Sequence, residues 1–174
     1  GLNDFKLRLN TLGSVEAEEN FSKFLKKILK DKINTFCPEC QQRFERNVFR
    51  VLDCKKDPCR HAVHKMQLSK TDYLCRQSLE YFEQVKKVLG QIHVPFEEDP
   101  VLVRGLDYYT HTVFEISSSA LGSQDALGAG GRYDSLVHQL GAPPDKTFGA
   151  LGFALGMERI ILAGKESSSA QQGL

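Results

Sequence analysis

Val103-Arg104-Gly105-Leu106-Asp107-Tyr108-Tyr109-Thr110-His111-Thr112-Val113-Phe114-Glu115-Ile116 is the stretch on which the fold class turns. Its second part, Thr112 to Ile116, is rich in β-branched and aromatic residues and reads as a strand. Its first part sets an arginine and a glycine at a turn, followed by two tyrosines. An arginine at a strand–turn junction suits bidentate binding of a carboxylate or phosphate. Paired tyrosines supply aromatic walls with hydroxyl tips. A surface arginine beside two core tyrosines accounts for the same residues when the segment is taken alone. Upstream, Val101-Leu102-Val103 reads as a further strand. Downstream, a polar, glycine-bearing connection runs from Ser117 to Gly131. Tyr133, Leu136, Val137 and Leu140 then mark a short helix, stopped by Gly141 and Pro143-Pro144. Thr147 to Leu155 reads as a strand passing through Gly156 into a helix that carries Met157, Ile160 and Ile161.

The amino-terminal half has a different texture. Phe5-Lys6-Leu7-Arg8-Leu9 alternates apolar and basic residues, the period of a half-buried strand, and Gly13 marks its exit. Ser14 with Glu16, Glu18 and Glu19 suits a capped, acidic helix start. Phe21, Phe24, Leu25, Ile28 and Leu29 then form one apolar stripe of a 3.6-period helix. Lys23, Lys26, Lys27 and Lys30 occupy its other faces, which fits either a phosphate-backbone contact or an ordinary solvated surface. Residues 34–64 are less regular. A second long helix is expected from Thr71 to Leu89, with Gly90 at its end. The order of elements predicts an α+β fold in which a helical block is inserted into a sheet domain. The expected divisions are 1–13 (strand), 14–92 (helical block with a cysteine-rich segment, 34–64), 93–165 (sheet-rich core) and 166–174 (Ser/Gln/Gly-rich, disordered tail).

Composition narrows the class of protein. In 174 residues, 41% hydrophobic and 26% charged, there is enough apolar content for a real core. The longest apolar runs, Phe148 to Leu155 and Ile160 to Ala163, fall far below the roughly 18 residues of a membrane span. Gly1 to Asn10 lacks the basic start and small-residue cleavage site of a signal peptide. With 23 Lys and Arg against 22 Asp and Glu, net charge is +1, so nucleic-acid contact must come from local patches. The absence of Trp and of a starting Met suggests a processed or excised piece.

Four of the five cysteines lie in the irregular segment as C-x2-C-x13-C-x4-C: Cys37, Cys40, Cys54 and Cys59. This is close to the two-pair thiolate pattern of a structural zinc ribbon. His61 and His64 lie near enough to compete as ligands. Reduced buried cysteines, or a redox-active C-x-x-C pair, are the other readings. Cys75 is expected on the apolar side of its helix, packing in the core.

Two further segments join the opening one. Gly128-Ala129-Gly130-Gly131-Arg132-Tyr133-Asp134 reads as a glycine-rich turn opening a helix, where backbone can approach an anionic ligand. Phe148-Gly149-Ala150-Leu151-Gly152-Phe153-Ala154-Leu155-Gly156-Met157-Glu158-Arg159 is a small-residue strand that delivers Arg159 onto the first turn of a helix. Together these residues resemble the catalytic core of bacterial-type histidyl-tRNA synthetase, a class II aminoacyl-tRNA synthetase. Val103 to Tyr109 is similar to that family's first histidine motif and Ala129 to Asp134 to its second. Gly152 to Arg159 is similar to the class II third motif. Phe5 to Leu12 and Arg43 to Asp53 resemble the segments that frame the family's helical insertion. Ser135 stands where the family usually has Gly, and Gly141-Ala142 replaces a common Gly-Gly.

The resemblance implies part of an antiparallel class II sheet with flanking helices and a mainly helical insertion. It implies an ATP-dependent ligase of protein biosynthesis, activating histidine to histidyl-adenylate and transferring it to the 3′ end of tRNA(His). Arg104 would be the catalytic arginine, steadying the histidine carboxylate and the ATP α-phosphate. Tyr108, Tyr109 and Tyr133, with Gly130 and Gly131, would form the histidine pocket. Arg159 and Gly156 would join Arg104 at the ATP, with Mg²⁺ as the accompanying ion. Lys23, Lys26, Lys27 and Lys30 would meet tRNA, and zinc would sit on the four cysteines. The family implies a cytoplasmic homodimer with no membrane association. Its first and second class II motifs and its anticodon-binding domain are expected outside these 174 residues, so the chain alone is expected to be inactive. The alternative function is a catalytically silent paralogue that senses histidine and regulates a partner enzyme.

Overall fold

Strand β1 (Lys6–Thr11) leaves the sheet at Gly13, whose φ of +78° suits glycine, and where a Cβ would lie 2.6 Å from Leu74. Helix α1 (Val15–Leu29) follows directly, capped by Ser14, whose Oγ accepts from the Ala17 amide at 3.3 Å. The structure, a computed structural model, describes residues 4–106, 108–122, 125–143, 145–146 and 148–171, with backbone alone for 166–171. The expected stripe of α1 is real: Phe21, Leu25 and Leu29 are fully buried, with Phe24 and Ile28 half-buried beside them. Phe21 stacks on Tyr73 with ring centroids 3.8 Å apart and planes tilted by 13°.

The segment expected to be irregular is helical. It forms α2 (Pro38–Arg46), the single turn α3 (Phe49–Leu52) and α4 (Asp57–His64), started at two places by a proline in the first turn, where its missing N–H costs nothing. Cys40, Val48, Val51, Leu52, Cys54, Cys59 and Val63 join Phe21 and Leu25 in one core. The second long helix, α5 (Arg76–Gln91), begins five residues later than its apolar pattern suggests. A 3-10 turn at Lys70–Asp72 precedes it, because Tyr73 turns inward onto Phe21 while Lys70 is drawn to Glu98 at 2.6 Å. Cys75 therefore caps α5 and is exposed, not packed in the core as expected.

The remaining elements are β2 (Glu97–Glu98), β3 (Thr110–Ser117), β4 (Ala126–Arg132), α6 (Asp134–Gln139), β5 (Leu151–Leu155) and α7 (Met157–Gln171). The sheet order is β2-β1-β3-β4-β5; β1 and β2 run parallel and the other pairs antiparallel. The fold is thus α+β, as the order of elements implies.

Three expectations are corrected. Val101 to Val103 is not a strand, because Asp99 folds it into a turn. The Asp99 carboxylate accepts from the Val101 amide at 3.1 Å, its carbonyl accepts from Leu102 at 3.0 Å, and buried Asn10 donates to the Leu102 carbonyl at 2.9 Å. The glycine-rich run 126–132 is strand β4, not a turn. Finally, α7 continues to Gln171, so the stretch expected to be a disordered tail is helical in its first part; residues 172–174 lie outside those described. Among the described residues no helix is long and apolar enough to cross a membrane.

Candidate functional site

Arg104 sits in the loop between the Asp99 turn and β3, and its Nη1 donates to Glu115 at 2.9 Å. Glu115 lies mid-strand on β3, directly opposite Arg8 on β1, and Arg8 also donates to it. Arg8 reaches Asp99 at 3.5 Å through its other terminal nitrogen. Two arginines and two carboxylates thus form a neutral, largely buried chain. It lines a cavity of about 420 Å³ together with Leu52, Cys54, Lys55, Arg60, His64 and Asp125. One wall of this cavity comes from the helical block and the other from the sheet. Polar groups of both signs face it, which suits a ligand that carries charge.

Tyr108, Tyr109 and Tyr133 come together next to this loop. The Tyr108 and Tyr109 centroids lie 4.7 Å apart, and Tyr133 meets them edge-on at 5.8 and 6.0 Å. Burial pushes the Tyr109 phenol up, the neighbouring Tyr108 adds to this, and the Arg104 charge pulls the other way. Arg104 and the tyrosines therefore share one electrostatic neighbourhood. Gly131 lets the ring of Tyr109 lie on the sheet: a Cβ there would meet that ring at 2.9 Å and the Thr112 carbonyl at 2.7 Å. That close approach explains a glycine-rich strand whose composition argues against one. Gly130, next to it, is packed against β5 at Phe153. Asp107, inside the same motif, lies outside the described residues.

Arg132 does not face the cavity. Its Nε donates to Asp134 at 2.6 Å and its Nη1 to the Tyr81 hydroxyl of α5 at 2.8 Å, while Asp134 accepts from the Ala150 amide at 2.9 Å. This part of the second glycine segment ties β4, α5 and the approach to β5 together. Arg159 stands on the first turn of α7, with Nη1 donating to the Ala126 carbonyl at 2.9 Å. Gly156 before it bonds to the Leu127 carbonyl at 2.8 Å. Arg159 is therefore placed at the start of β4, and it is not among the residues lining the cavity of Arg104.

The four cysteines converge. The sulfurs of Cys37, Cys40, Cys54 and Cys59 all lie within 4.8 Å of one another. Tetrahedral thiolates at Zn–S of about 2.3 Å would be roughly 3.8 Å apart, so a small contraction suffices. The Cys37 amide donates to the Cys59 sulfur at 3.3 Å, a bond that stabilises thiolate charge. The Cys37 thiol is lowered to about 7, chiefly by the Cys40 backbone amide, whereas burial pushes Cys40 and Cys59 up. His61 is outside the cluster, and His64 points to the cavity instead. The knuckle is helical: Cys37 caps α2, Cys40 lies in its first turn and Cys59 in the first turn of α4. It is not a β-ribbon. Lys23, Lys26 and Lys27 on α1 and Lys30 at its C-cap are all exposed, well apart from the tyrosines in sequence.

Sequence reasoning missed Glu115, Arg8 and Asp99. The first two were visible only as the polar positions of alternating strands. Their signal is the pairing of β1 with β3, which no local pattern reveals.

A mostly antiparallel sheet backed by helices, with an arginine, a tyrosine cluster and a glycine strand on it, is the catalytic-core architecture of a class II aminoacyl-tRNA synthetase. The sequence profile of histidyl-tRNA synthetase matches residues 10–160, and the chain belongs to that family. It is 45% identical over 163 residues to the histidine–tRNA ligase of Natranaerobius thermophilus, covering 94% of this chain and 38% of that one. Identity to the histidine–tRNA ligase of Bacillus velezensis is 46% over 165 residues, again 94% and 38% of the two chains. The crystal structure of apo S. aureus histidyl-tRNA synthetase superposes with a TM-score of 0.68 at 35% identity, covering 97% of this chain and 40% of that one. The chain thus spans about 38% of the length of these curated relatives.

Proposed function

We propose that this chain carries part of the active site of a histidine–tRNA ligase, an enzyme that activates histidine with ATP and esterifies tRNA(His). The observation that carries the reading is Arg104, fixed beside the tyrosine cluster at a charge-lined cavity, within a segment that matches the family throughout. In the proposed mechanism the guanidinium of Arg104 binds the histidine carboxylate and the α-phosphate it attacks, stabilising charge that grows in the transition state. Tyr108, Tyr109 and Tyr133 hold the imidazole by stacking and hydroxyl contacts, and Gly130 and Gly131 keep the strand beneath that pocket free of side chains. A pocket that hydrogen-bonds a polar side chain rejects analogues lacking it. Arg159 and Gly156 hold the triphosphate end of ATP. Mg²⁺ arriving with ATP would neutralise phosphate charge. The Arg104 cavity's carboxylates Asp99 and Glu115 are already engaged by arginines, and Arg8, Lys55 and Arg60 line the cavity beside Arg104.

Residues 14–92 are proposed as a separate module, with a structural zinc on Cys37, Cys40, Cys54 and Cys59, and with Lys23, Lys26, Lys27 and Lys30 meeting tRNA phosphates. Neutralising these lysines to Gln is expected to weaken tRNA binding and flatten its salt dependence, since each lost phosphate contact lowers the slope by about 0.7–0.9, the range between single strands and B-form duplex. An unchanged affinity and slope leaves α1 with an ordinary solvated face. A cytoplasmic homodimer is the proposed state of the ligase.

Histidine-dependent ATP–pyrophosphate exchange tests the reading. The full-length protein containing these residues is expected to exchange, and the 174-residue chain alone is not. Histidine binding by the full-length protein with no ATP-dependent exchange would favour the histidine-sensing regulatory alternative. That alternative is disfavoured by 45–46% identity to curated ligases.

A further inference from the structure

We propose that Glu115 and Arg8 are positioning residues for Arg104: the Glu115 carboxylate holds its guanidinium, and Arg8 holds that carboxylate from the neighbouring strand. This inference rests on the ligase reading above and adds to it two residues that fix the charge before substrate arrives.

The geometry divides the work. Glu115 gives Oε2 to Arg104 at 2.9 Å and Oε1 to Arg8, so each oxygen serves a different guanidinium. Arg8 and Glu115 are cross-strand partners in the β1–β3 register, and a directly opposed charge pair of this kind is held by the sheet itself. Arg8 also reaches Asp99, whose amide donates to Leu9 at 2.9 Å and whose carboxylate caps the turn at Val101. The chain Asp99–Arg8–Glu115 is therefore anchored to backbone at both ends. Arg104, by contrast, belongs to a loop and is followed by Gly105, so nothing in its own backbone restrains the long side chain.

Environment makes the tether effective. The Glu115 and Asp99 side chains are only 15% and 16% exposed, where ion pairs are less screened than at a free surface. Two positive and two negative charges sum to zero, so the carboxylates offset the repulsion between Arg8 and Arg104. Both arginines line the same cavity, and both keep a buried Nε–H that finds no acceptor among the described residues. A buried donor without a partner is costly, so the two Nε–H groups add a demand that the carboxylates hold the guanidinium groups in place. Nη1 of Arg104 is thus committed to Glu115. Holding a reacting group in place in advance matters because a displacement of about 1 Å can cost on the order of 10²-fold in rate.

The test is a double-mutant cycle in the full-length ligase, read by histidine-dependent ATP–pyrophosphate exchange with kcat and KM separated. Glu115→Gln keeps shape and removes the charge. It is expected to lower kcat by about 10–100-fold, with the KM for histidine little changed. In an Arg104→Ala background the same change is expected to cost less than about twofold, because groups acting as a unit are not additive. Arg8→Lys, which keeps the charge but loses the two-pronged reach, is expected to follow the same non-additive pattern with a smaller loss. It also serves if Glu115→Gln does not fold. An equal loss with and without Arg104 overturns the inference, as does an unchanged kcat in a folded variant. A wild-type protein that exchanges nothing removes the ligase reading itself, which distinguishes the two failures.

Discussion

The helical block and the outer edge of the sheet treat the same kind of residue in opposite ways. In the block, Phe21 is 0% exposed, and it is enclosed by Tyr73, Phe49 and the cysteine segment. On β5, Phe153 is 68% exposed and Leu151 76%, with Met157, Ile161 and Leu162 of α7 also open to solvent. The block buries its apolar stripe in a core that runs on to Val103, Tyr109 and Val113 of the sheet region. The last strand and helix leave theirs open. The candidate loop, with Arg104 and the tyrosines, sits where that core passes from the helices to the sheet.

The contrast can be broken most directly by truncation. Phe21→Ala is expected to destabilise the chain by about 3–5 kcal/mol, the usual cost of emptying a buried aromatic site. Phe153→Ala is expected to change stability by less than about 0.5 kcal/mol. Denaturant unfolding of both variants checks the pair, and equal losses would mean that the edge is packed after all.

Arg104→Ala addresses the junction of the two regions. It is expected to lower kcat/KM for histidine activation by about 10²-fold or more in the full-length ligase, near the loss of one preorganised donor, while leaving the midpoint of unfolding nearly unchanged. A loss confined to stability would move Arg104 from chemistry to scaffold.

The cysteine centre sharpens the picture of the helical side of that core. Protein purified without added metal is expected to hold one zinc per chain, lost in Cys40→Ser. Because Cys37 is lowered to about 7 while burial raises Cys40 and Cys59, metal uptake at neutral pH is expected to release more than two protons per site. Calorimetry in buffers of different ionisation enthalpy reads that number. Four titratable thiols and no bound metal would leave the cluster as plain core.

The smallest effect concerns the staple between block and sheet. Glu98 accepts from Lys70 at 2.6 Å and Lys86 at 2.5 Å. Burial opposes ionisation of Glu98, but these two hydrogen bonds prevail and hold its carboxyl below the usual range. A depressed folded-state value contributes stability above the unfolded carboxylate value and loses it as pH falls through the folded one. Glu98→Gln is accordingly expected to cost about 0.2–1 kcal/mol at neutral pH and nothing in strong acid. Thermal melts across the acid limb check the sign.

Much of this organisation was legible in the chain. The stripe of α1, its Ser14 cap, the β3 strand and the four-cysteine spacing each express a local rule, and each is met. What escaped reading depended on partners distant in sequence. Glycines at 130 and 131 look like a turn until β3 and β5 are placed on either side of them. Val101 to Val103 looks like a strand until Asn10 and Asp99 capture its backbone. At the candidate site, Arg104 and the tyrosines announced themselves by residue type. Glu115 and Arg8 did not, since strand pairing alone makes them neighbours.

The parallel pairing of β1 with β2 has a consequence for how the molecule can be rebuilt. Leu9 lies opposite Glu98 and Arg8 opposite Glu97, so the chain leaves the end of one strand and must return to the beginning of its neighbour. Everything from α1 to α5 is, topologically, the crossover of a single β–α–β unit. A tight turn can join antiparallel strands but never parallel ones, which need a dozen or more connecting residues. The block can thus be exchanged for another helix of sufficient length, but not trimmed to a hairpin, without costing the sheet its β1–β2 edge.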